Sequence, residues 1–485
     1  MWWTLIPLLL QDPALQPPRI TQTVVVSAAS EPVPLDALAR AVTVLTRDEI
    51  DRLPSWSIAD VLRMAGSVQV RSRGSFGTQT DLSVRGGGFG QVVVLVDGVR
   101  LNDSQSGHHN ADIPVAIARI ERIEVLRGTG SSLYGADAVV GAVNIVTRRQ
   151  TDAPAMSIAG GEHGLVRASG SAGWSSGPVT MSLDGWGTRA SGFMFDRELA
   201  TGGASWAASF SPRRRVSASH LRNAFGANGF YGPSPSKEWT DQTLVSFSDS
   251  GGSGARRLST RLSYRTHGDH FRWDVNRPGF AENRHRTHSA TAGATFRTGS
   301  ARNWTSIGAE AGMDWVRSNN LGDRDFGRAG AFVEVQRALG DRTTVHPALR
   351  YDRYSSFGGS WSPSLAAVVS LRPGLRARAS AGRAFRVPTF TERYYRDPAH
   401  LARAELAPEH AWGVEGGVDW TAGGWTGGVT PFLRREHDVI DWIRSNPLEP
   451  WRTANIRDVR THGVELTVAR GGRHGFARLE YTWVR

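Results

Sequence analysis

The sequence predicts a mainly β protein: a transmembrane antiparallel β-barrel of about 22 strands, preceded by an N-terminal α+β domain small enough to sit in the lumen of such a barrel. Three observations predict it. Residues 35–150 alternate helical and extended patterns, whereas residues 151–485 show almost uninterrupted period-two alternation. That alternation recurs in about seventeen segments separated by Gly, Ser, Asn, Asp and Pro clusters, a sheet too long to leave its edges unpaired. Trp and Tyr stand near the segment ends, as in the aromatic girdles of membrane barrels.

Bulk properties limit the alternatives. The 485 residues are 40% hydrophobic and 9% aromatic, which is not the composition of a disordered chain. Mean hydropathy is −0.32, and no run of about 18 apolar residues exists from which a transmembrane helix is drawn. The absence of cysteine leaves the redox compartment open. The net charge of +12 is carried by arginine, Lys237 being the only lysine. Such a charge suits an anionic surface such as outer-membrane lipid or lipopolysaccharide. The arginines are scattered rather than massed in a stripe, which speaks against nucleic acid as a partner.

From the N-terminus, "MWWTLIPLLLQDPALQ" has an apolar core too short to span a bilayer and predicts a secretory signal within residues 1–20. Residues 21–34 read as a linker, and 35–150 as the α+β domain. Thr46 with Glu49 and Ser57 with Asp60 form two capping boxes, each opening a short helix, with Ile58, Val61 and Leu62 on one face and Gly66 as a stop. "SVQVRS", "DLSVRG" and "GAVNIVTRR" predict short strands, and Val92–Val96 is apolar enough to be buried on both faces. Pro114 marks a further helix start running into a strand at Ile123–Leu126. Asp97-Gly98 reads as a tight turn into Val99–Leu101. In the second half, "RLSTRLSYR" sets Leu258, Thr260, Leu262 and Tyr264 on one face against Ser259, Arg261, Ser263 and Arg265 on the other. The chain stops at "YTWVR" in mid-pattern, so about five C-terminal strands are expected to be missing from a barrel of that size.

Several motifs carry no chemistry. The glycines of "RGGGFGQVVVLVDGVRLN" lack the G-x-G-x-x-G order and no helix follows them, so they are not a nucleotide cradle. "GWSSG" matches a nucleophile elbow at Ser175 but lies in a hairpin turn between alternating strands, not between strand and helix. The 14 histidines show no HExxH or Cys/His ligand spacing. No enzyme is expected.

"TRDEIDRLPSWSIADVLRMAGSVQVR", "DLSVRGGGFGQVVVLVDGVRLN" and "RIERIEVLRGTGSSLYGADAVVGAVNIVTRR" follow one another over residues 40–149. In this order they resemble the plug domain of the TonB-dependent outer-membrane receptors. "SAGRAFRVPTFTERYY" and "NIRDVRTHGVELTVAR" look like recurring barrel segments of the same family. "VLVDGVRLN" with "IERIEVLRG" is most similar to the cobalamin (vitamin B12) receptor type, and ferric-siderophore or other metal-chelate receptors share nearly the same plug. The resemblance implies a receptor in the outer membrane of a Gram-negative bacterium that imports a scarce small-molecule or metal-chelate ligand. Energy would come through TonB and its inner-membrane complex. A passive pore or adhesin barrel is the alternative from another class.

The resemblance also assigns roles. The coupling peptide, the TonB box, falls at Thr23, Val24, Val25, Val26, Ser27 and Ala28, a β-branched run before Pro32 and Pro34 that suits strand addition to a partner. Plug loops 71–80 and 102–112 place Arg73, Phe76, Gln79, Asn102, His108, His109 and Asn110 as ligand contacts, and barrel loops add Phe225, Phe230, Tyr231 and Trp239. Arg85, Gly86, Asp97, Gly98, Glu124, Arg127 and Gly128 are implied as plug structure, with Arg85, Glu124 and Arg127 as candidates for ion pairs against the wall. No cofactor is implied, and the resemblance assigns no metal. Asp269, Asp274 and Glu282 are loop carboxylates at which Ca²⁺ is a possibility, although no regular ligand spacing supports it.

Overall fold

A computed structural model of the chain describes residues 38–149, 153–472 and 475–485. The signal and the coupling segment Thr23–Ala28 lie outside the described residues.

The N-terminal domain starts with β1 (Val42–Thr46), α1 (Arg47–Arg52) and α2 (Ile58–Arg63). Both capping boxes are made: Thr46 Oγ1 accepts from Glu49 N, and Ser57 Oγ from Asp60 N, with each carboxylate reaching back to its cap. Strands β2 (Gln69–Ser72) and β3 (Thr80–Ser83) form a separate two-stranded ribbon. The remaining strands are β4 (Val92–Val96), β5 (Val99–Arg100), β6 (Ile120–Arg127) and β7 (Gly141–Thr147). With β1 they make one sheet, ordered β1-β6-β7-β4-β5, in which β4 runs parallel to β7. Every residue of β4 is buried, as an unbroken valine and leucine run requires. Val61, Leu62, Val94, Ile123, Val143 and Ile145 belong to one core.

Two local expectations change. Pro114 opens no α-helix; only a 3₁₀ turn at Ile117–Arg119 precedes β6, which begins at Ile120. The reason is tertiary: β6 is paired on both sides, to β1 and β7, and those ladders extend it toward its N-terminus. A short helix α3 (Ser131–Tyr134), four residues long and without periodic signal, was not expected.

From Ala155 onward the chain forms seventeen long antiparallel strands among the described residues, from Ala155–Gly161 to Gly475–Val484, the number of alternating segments in the sequence. Their order returns from the last to the first, so the sheet wraps into a barrel. Among the described residues no helix is long and apolar enough to cross a membrane; the strands make the crossing. Alternation sorts the faces: Leu183, Leu258, Leu262, Ile307, Leu365 and Leu433 are exposed on the outside, while Arg265, His267, Arg350 and Glu465 are buried toward the lumen. Connections are tight at one end, as at 177–178, 254–255 and 423–424, and long at the other, as at 191–198, 227–236, 273–281 and 387–408. Short turns on the periplasmic side and long loops outside are the habit of outer-membrane barrels. The 387–408 loop carries a five-residue helix α4 (Phe390–Tyr394) with its own capping box, Thr389 with Glu392, in a half of the chain where no helix was expected.

Candidate functional site

The N-terminal domain sits inside the barrel, and the boundary between them is polar. Arg85 donates from Nη1 to Glu415 (2.5 Å) and from Nε and Nη2 to Glu465 (3.0 and 2.6 Å), and its guanidinium covers the Phe432 ring at 4.4 Å. Arg127 Nη1 joins Glu465 at 3.2 Å. Burial alone would lower the Arg85 guanidinium, but the two glutamates outweigh it and raise it, so Arg85 stays charged. Gln91 Nε2 bridges Glu409 and Glu436, both at 2.8 Å. Arg40 donates to Ser364 of the wall at 2.8 Å. Glu124 is buried and accepts from Arg122 Nε (2.7 Å) and Asn144 Nδ2 (3.2 Å).

The turn residues explain themselves. Arg85 and Gly86 have φ of 50° and 70°, which reverses the chain after β3. Asp97 and Gly98, at 49° and 75°, form the tight turn between β4 and β5. Asp97 accepts from the backbone N–H and hydroxyl of Thr147 at 2.8 and 2.6 Å, tying that turn to β7. At Gly128, φ 87°, a side chain would crowd Glu415 and Arg85.

At the long-loop end, the segment 71–80 meets the wall. Arg73 donates to the Phe230 carbonyl and lies over the Tyr231 ring at 5.0 Å. Gln79 donates to the Tyr231 hydroxyl. Phe76, at φ 53°, packs half-buried against the cluster of Leu199, Phe225, Ala227 and Phe230. Tyr231 stays exposed, whereas Phe225 lies at a strand end and is buried in that cluster. His108 stacks on Phe89 at 4.2 Å and sits 2.9 Å from Asp81.

Three candidate contacts are placed elsewhere. Asn102 is buried and clamps β4: its Nδ2 donates to Val92 O (2.9 Å) and its Oδ1 accepts from Val94 N (2.8 Å). Asn110 is buried too, accepting from Asp103 N at 3.0 Å. Trp239 is on the strand Lys237–Ser253, where buried Glu238 and Thr240 take the lumen face; it points outward and stacks on His270 at 4.8 Å. Ser175 lies in the strand Leu165–Ser176, opposite Thr180.

His109 is buried among carboxylates. Its Nε2 lies 3.4 Å from Asp269 and 3.9 Å from Glu238, and its Nδ1 lies 3.8 Å from Asp112. Burial would lower the imidazole, but Asp269, Glu238 and Asp112 outweigh it and raise it to about 10. Asp103, on the same loop, is held well below the carboxylate range despite its burial, by Arg265 and His267. Asp269 is on a strand, not a loop, while Asp274 and Glu282 are each held by arginines, Arg277 at 2.6 Å and Arg272 at 2.5 Å. Among the described residues, the groups of ligating side chains close enough to share an ion both contain His109, and neither contains Asp274 or Glu282.

The residues that sequence reasoning missed are the wall partners: Glu238, His267, Glu409, Glu415 and Glu465. Their one signal is a charged or polar residue at lumen-facing positions of alternating strands, as in Arg265, His267 and Asp269.

A folded domain lodged in a membrane β-barrel, seated by buried ion pairs and with plug loops meeting long outward loops, defines a plugged outer-membrane barrel. Two family descriptions match in that order, the TonB-dependent receptor plug domain over residues 34–142 and the TonB-dependent receptor-like β-barrel over residues 147–485. The chain belongs to the TonB-dependent receptor family and is a protein of the Gram-negative outer membrane. It is 26% identical to the vitamin B12 transporter BtuB of Photobacterium profundum over 91% of this chain and 75% of that one. A 38% match to BtuB of Vibrio vulnificus covers 27% of this chain and 21% of that one. Among solved structures, the siderophore receptor PirA from Pseudomonas aeruginosa superposes with a TM-score of 0.74 at 18% identity, covering 91% and 85% of the two chains. The pyoverdine receptor FpvA from Pseudomonas aeruginosa PAO1 gives 0.75 at 15%, covering 96% and 80%. At these identities the structural likeness speaks for the fold.

Proposed function

We propose that this receptor imports cobalamin, driven by TonB acting on Thr23–Ala28. The observation that carries the ligand is the similarity to a vitamin B12 transporter along nine-tenths of the chain, plug and barrel together. Arg73, Phe76 and His108 on the plug, with Tyr231 on the loop 227–236, form the proposed contact face, and buried Gln79 and Phe230 hold Tyr231 and Arg73 from behind. That face supplies aromatic surface and hydrogen-bond donors on the side where the connections are long. Asn102, Asn110 and Trp239 do not belong to that face. No catalytic step is part of the function; the ligand leaves as it entered. Calcium would act on the outward loops, as an aid to binding.

The second reading, a ferric siderophore or other metal chelate, is favoured by the fold shared with siderophore receptors. Uptake of labelled cyanocobalamin into a host lacking its own cobalamin receptor, with and without TonB, tests the first. TonB-dependent accumulation supports it. Accumulation of a ferric siderophore but not of cobalamin would select the second.

A further inference from the structure

The tip of the plug touches the wall through an unusual set of groups. Loop 101–116 carries His109 in the 3₁₀ turn Gly107–His109, and Asp112 just after it. Facing them are Glu238, on the strand Lys237–Ser253, and His267 and Asp269, on the neighbouring strand Arg256–Arg272. The register pairs Thr240 with Asp269 and Glu238 with Phe271, so Glu238 and Asp269 are diagonal neighbours on the lumen face.

Glu238 is 1% exposed, and its described partner is His109 Nε2, at 3.9 Å. Glu238 Oε2 and Asp269 Oδ1 are buried with no hydrogen-bond donor among the described residues. Leaving carboxylate oxygens dry and undonated is costly, and structural ion pairs normally avoid it. The Arg85 site shows the contrast, since there each wall glutamate receives a guanidinium N–H. At His109 three carboxylates, Asp112, Glu238 and Asp269, converge on two imidazoles whose rings lie 4.8 Å apart. Arg265, the buried cation nearby, is directed to Asp103 at 3.1 Å. Arg73 and His285 are the other basic groups whose charge reaches Glu238 and Asp269, and both are engaged elsewhere, with Phe230 and Ser318.

We propose that His109 Nε2, Glu238 and Asp269 bind a divalent transition-metal ion of the zinc class between the plug tip and the barrel wall. The three ligand atoms lie within 4.8 Å of one another. Two ligands on a tetrahedral ion at bond lengths of about 2.1 Å are about 3.4 Å apart, the separation seen between His109 and Asp269. One imidazole with two carboxylates is a zinc, manganese or iron donor set; the imidazole disfavours calcium and magnesium, which take oxygen. An outer shell is in place, because Gln105 Nε2 donates to Asp269 Oδ2 at 3.0 Å and orients it. Asp112 and His267 extend the site as further donors, 3.2 Å from each other. The ion joins the plug loop to two strands, so it fastens the plug tip to the wall. An ion held here would fasten the plug whichever ligand is imported.

The test uses the whole protein, without an affinity tag, in detergent micelles and stripped by a chelator. Zn²⁺ alone is titrated and counted by elemental analysis after gel filtration, and Co²⁺ alone is followed by its visible absorption. The expected result is about one ion per chain, with affinity falling at least about tenfold in Glu238→Gln, Asp269→Asn or His109→Ala, and unchanged in the exposed His220→Ala. Three variants are used so that any one retaining a folded, heat-resistant barrel suffices. Failure to retain stoichiometric Zn²⁺, or equal retention by wild type and the folded Glu238→Gln and His109→Ala variants, would overturn the site. Cobalamin binding does not enter these readouts, so loss of that reading leaves the result interpretable.

Discussion

Arg85 of the plug lies between two glutamates of the barrel wall, 2.5 Å from Glu415 and 2.6 Å from Glu465, with all three side chains nearly inaccessible. A charge held this way is satisfied only while the plug is seated. Buried ion pairs add little net stability over an apolar contact, yet cost much to break on one side. The interface is therefore specific in register and does not behave as a dry core.

Arg85→Gln is expected to weaken plug seating by up to about 3 kcal/mol, because both glutamates lose their shortest guanidinium bonds, while Glu465 keeps Arg127 and Glu415 keeps Ala41 N–H and Ser380. Hydrogen exchange of β3 and β4 in the intact receptor measures it: exchange should rise in the plug while the barrel strands hold. Glu465→Gln should act in the same direction. Unchanged plug protection in both variants would remove the Arg85 network from the account.

Asn102 gives a sharper separation of scaffold from ligand face. Asn102→Ala removes both bonds of the β4 clamp and leaves Val94 N–H and Val92 C=O short of a partner. A loss of about 1–3 kcal/mol in plug stability is expected. Ligand affinity measured below the denaturant transition should stay near wild type. A large affinity loss without a stability loss would return Asn102 to the contact set.

Gly141→Ala should damage the sheet directly. A Cβ there would lie 2.5 Å from Leu126 O, across the β6–β7 ladder, and backbone has no rotamer to yield. We expect destabilisation of about 1–3 kcal/mol, read as a lower midpoint of plug unfolding by denaturant.

Val25→Pro removes a backbone donor from the segment proposed to add to TonB as a strand. Uptake should disappear while ligand binding to purified receptor is kept. Normal uptake by this variant would move the coupling site elsewhere.

Much of the fold was legible because it is local. Thr46 with Glu49 and Ser57 with Asp60 announce helices within one turn, β4 announces burial by composition, and period-two alternation announces which side of each barrel strand meets the lumen. Alternation does not say what waits across the lumen. Arg85 meets Glu465 at a separation of 380 residues and Glu415 at 330, and no local pattern encodes such pairing. The same limit hid Glu238 behind His109. Trp239 was readable in principle, since Glu238 and Thr240 flank it with polar side chains that claim the lumen face. Helices α3 and α4, of four and five residues, are too short to show a period.

The most direct test of the central claim is a cyanocobalamin titration of the refolded receptor in detergent, followed by tryptophan fluorescence with and without Ca²⁺. Saturable quenching with a dissociation constant on the order of nanomolar is expected, weakened by Arg73→Ala or Tyr231→Ala and unchanged by Trp239→Phe. A flat titration of a receptor whose plug remains protected would contradict cobalamin as the ligand.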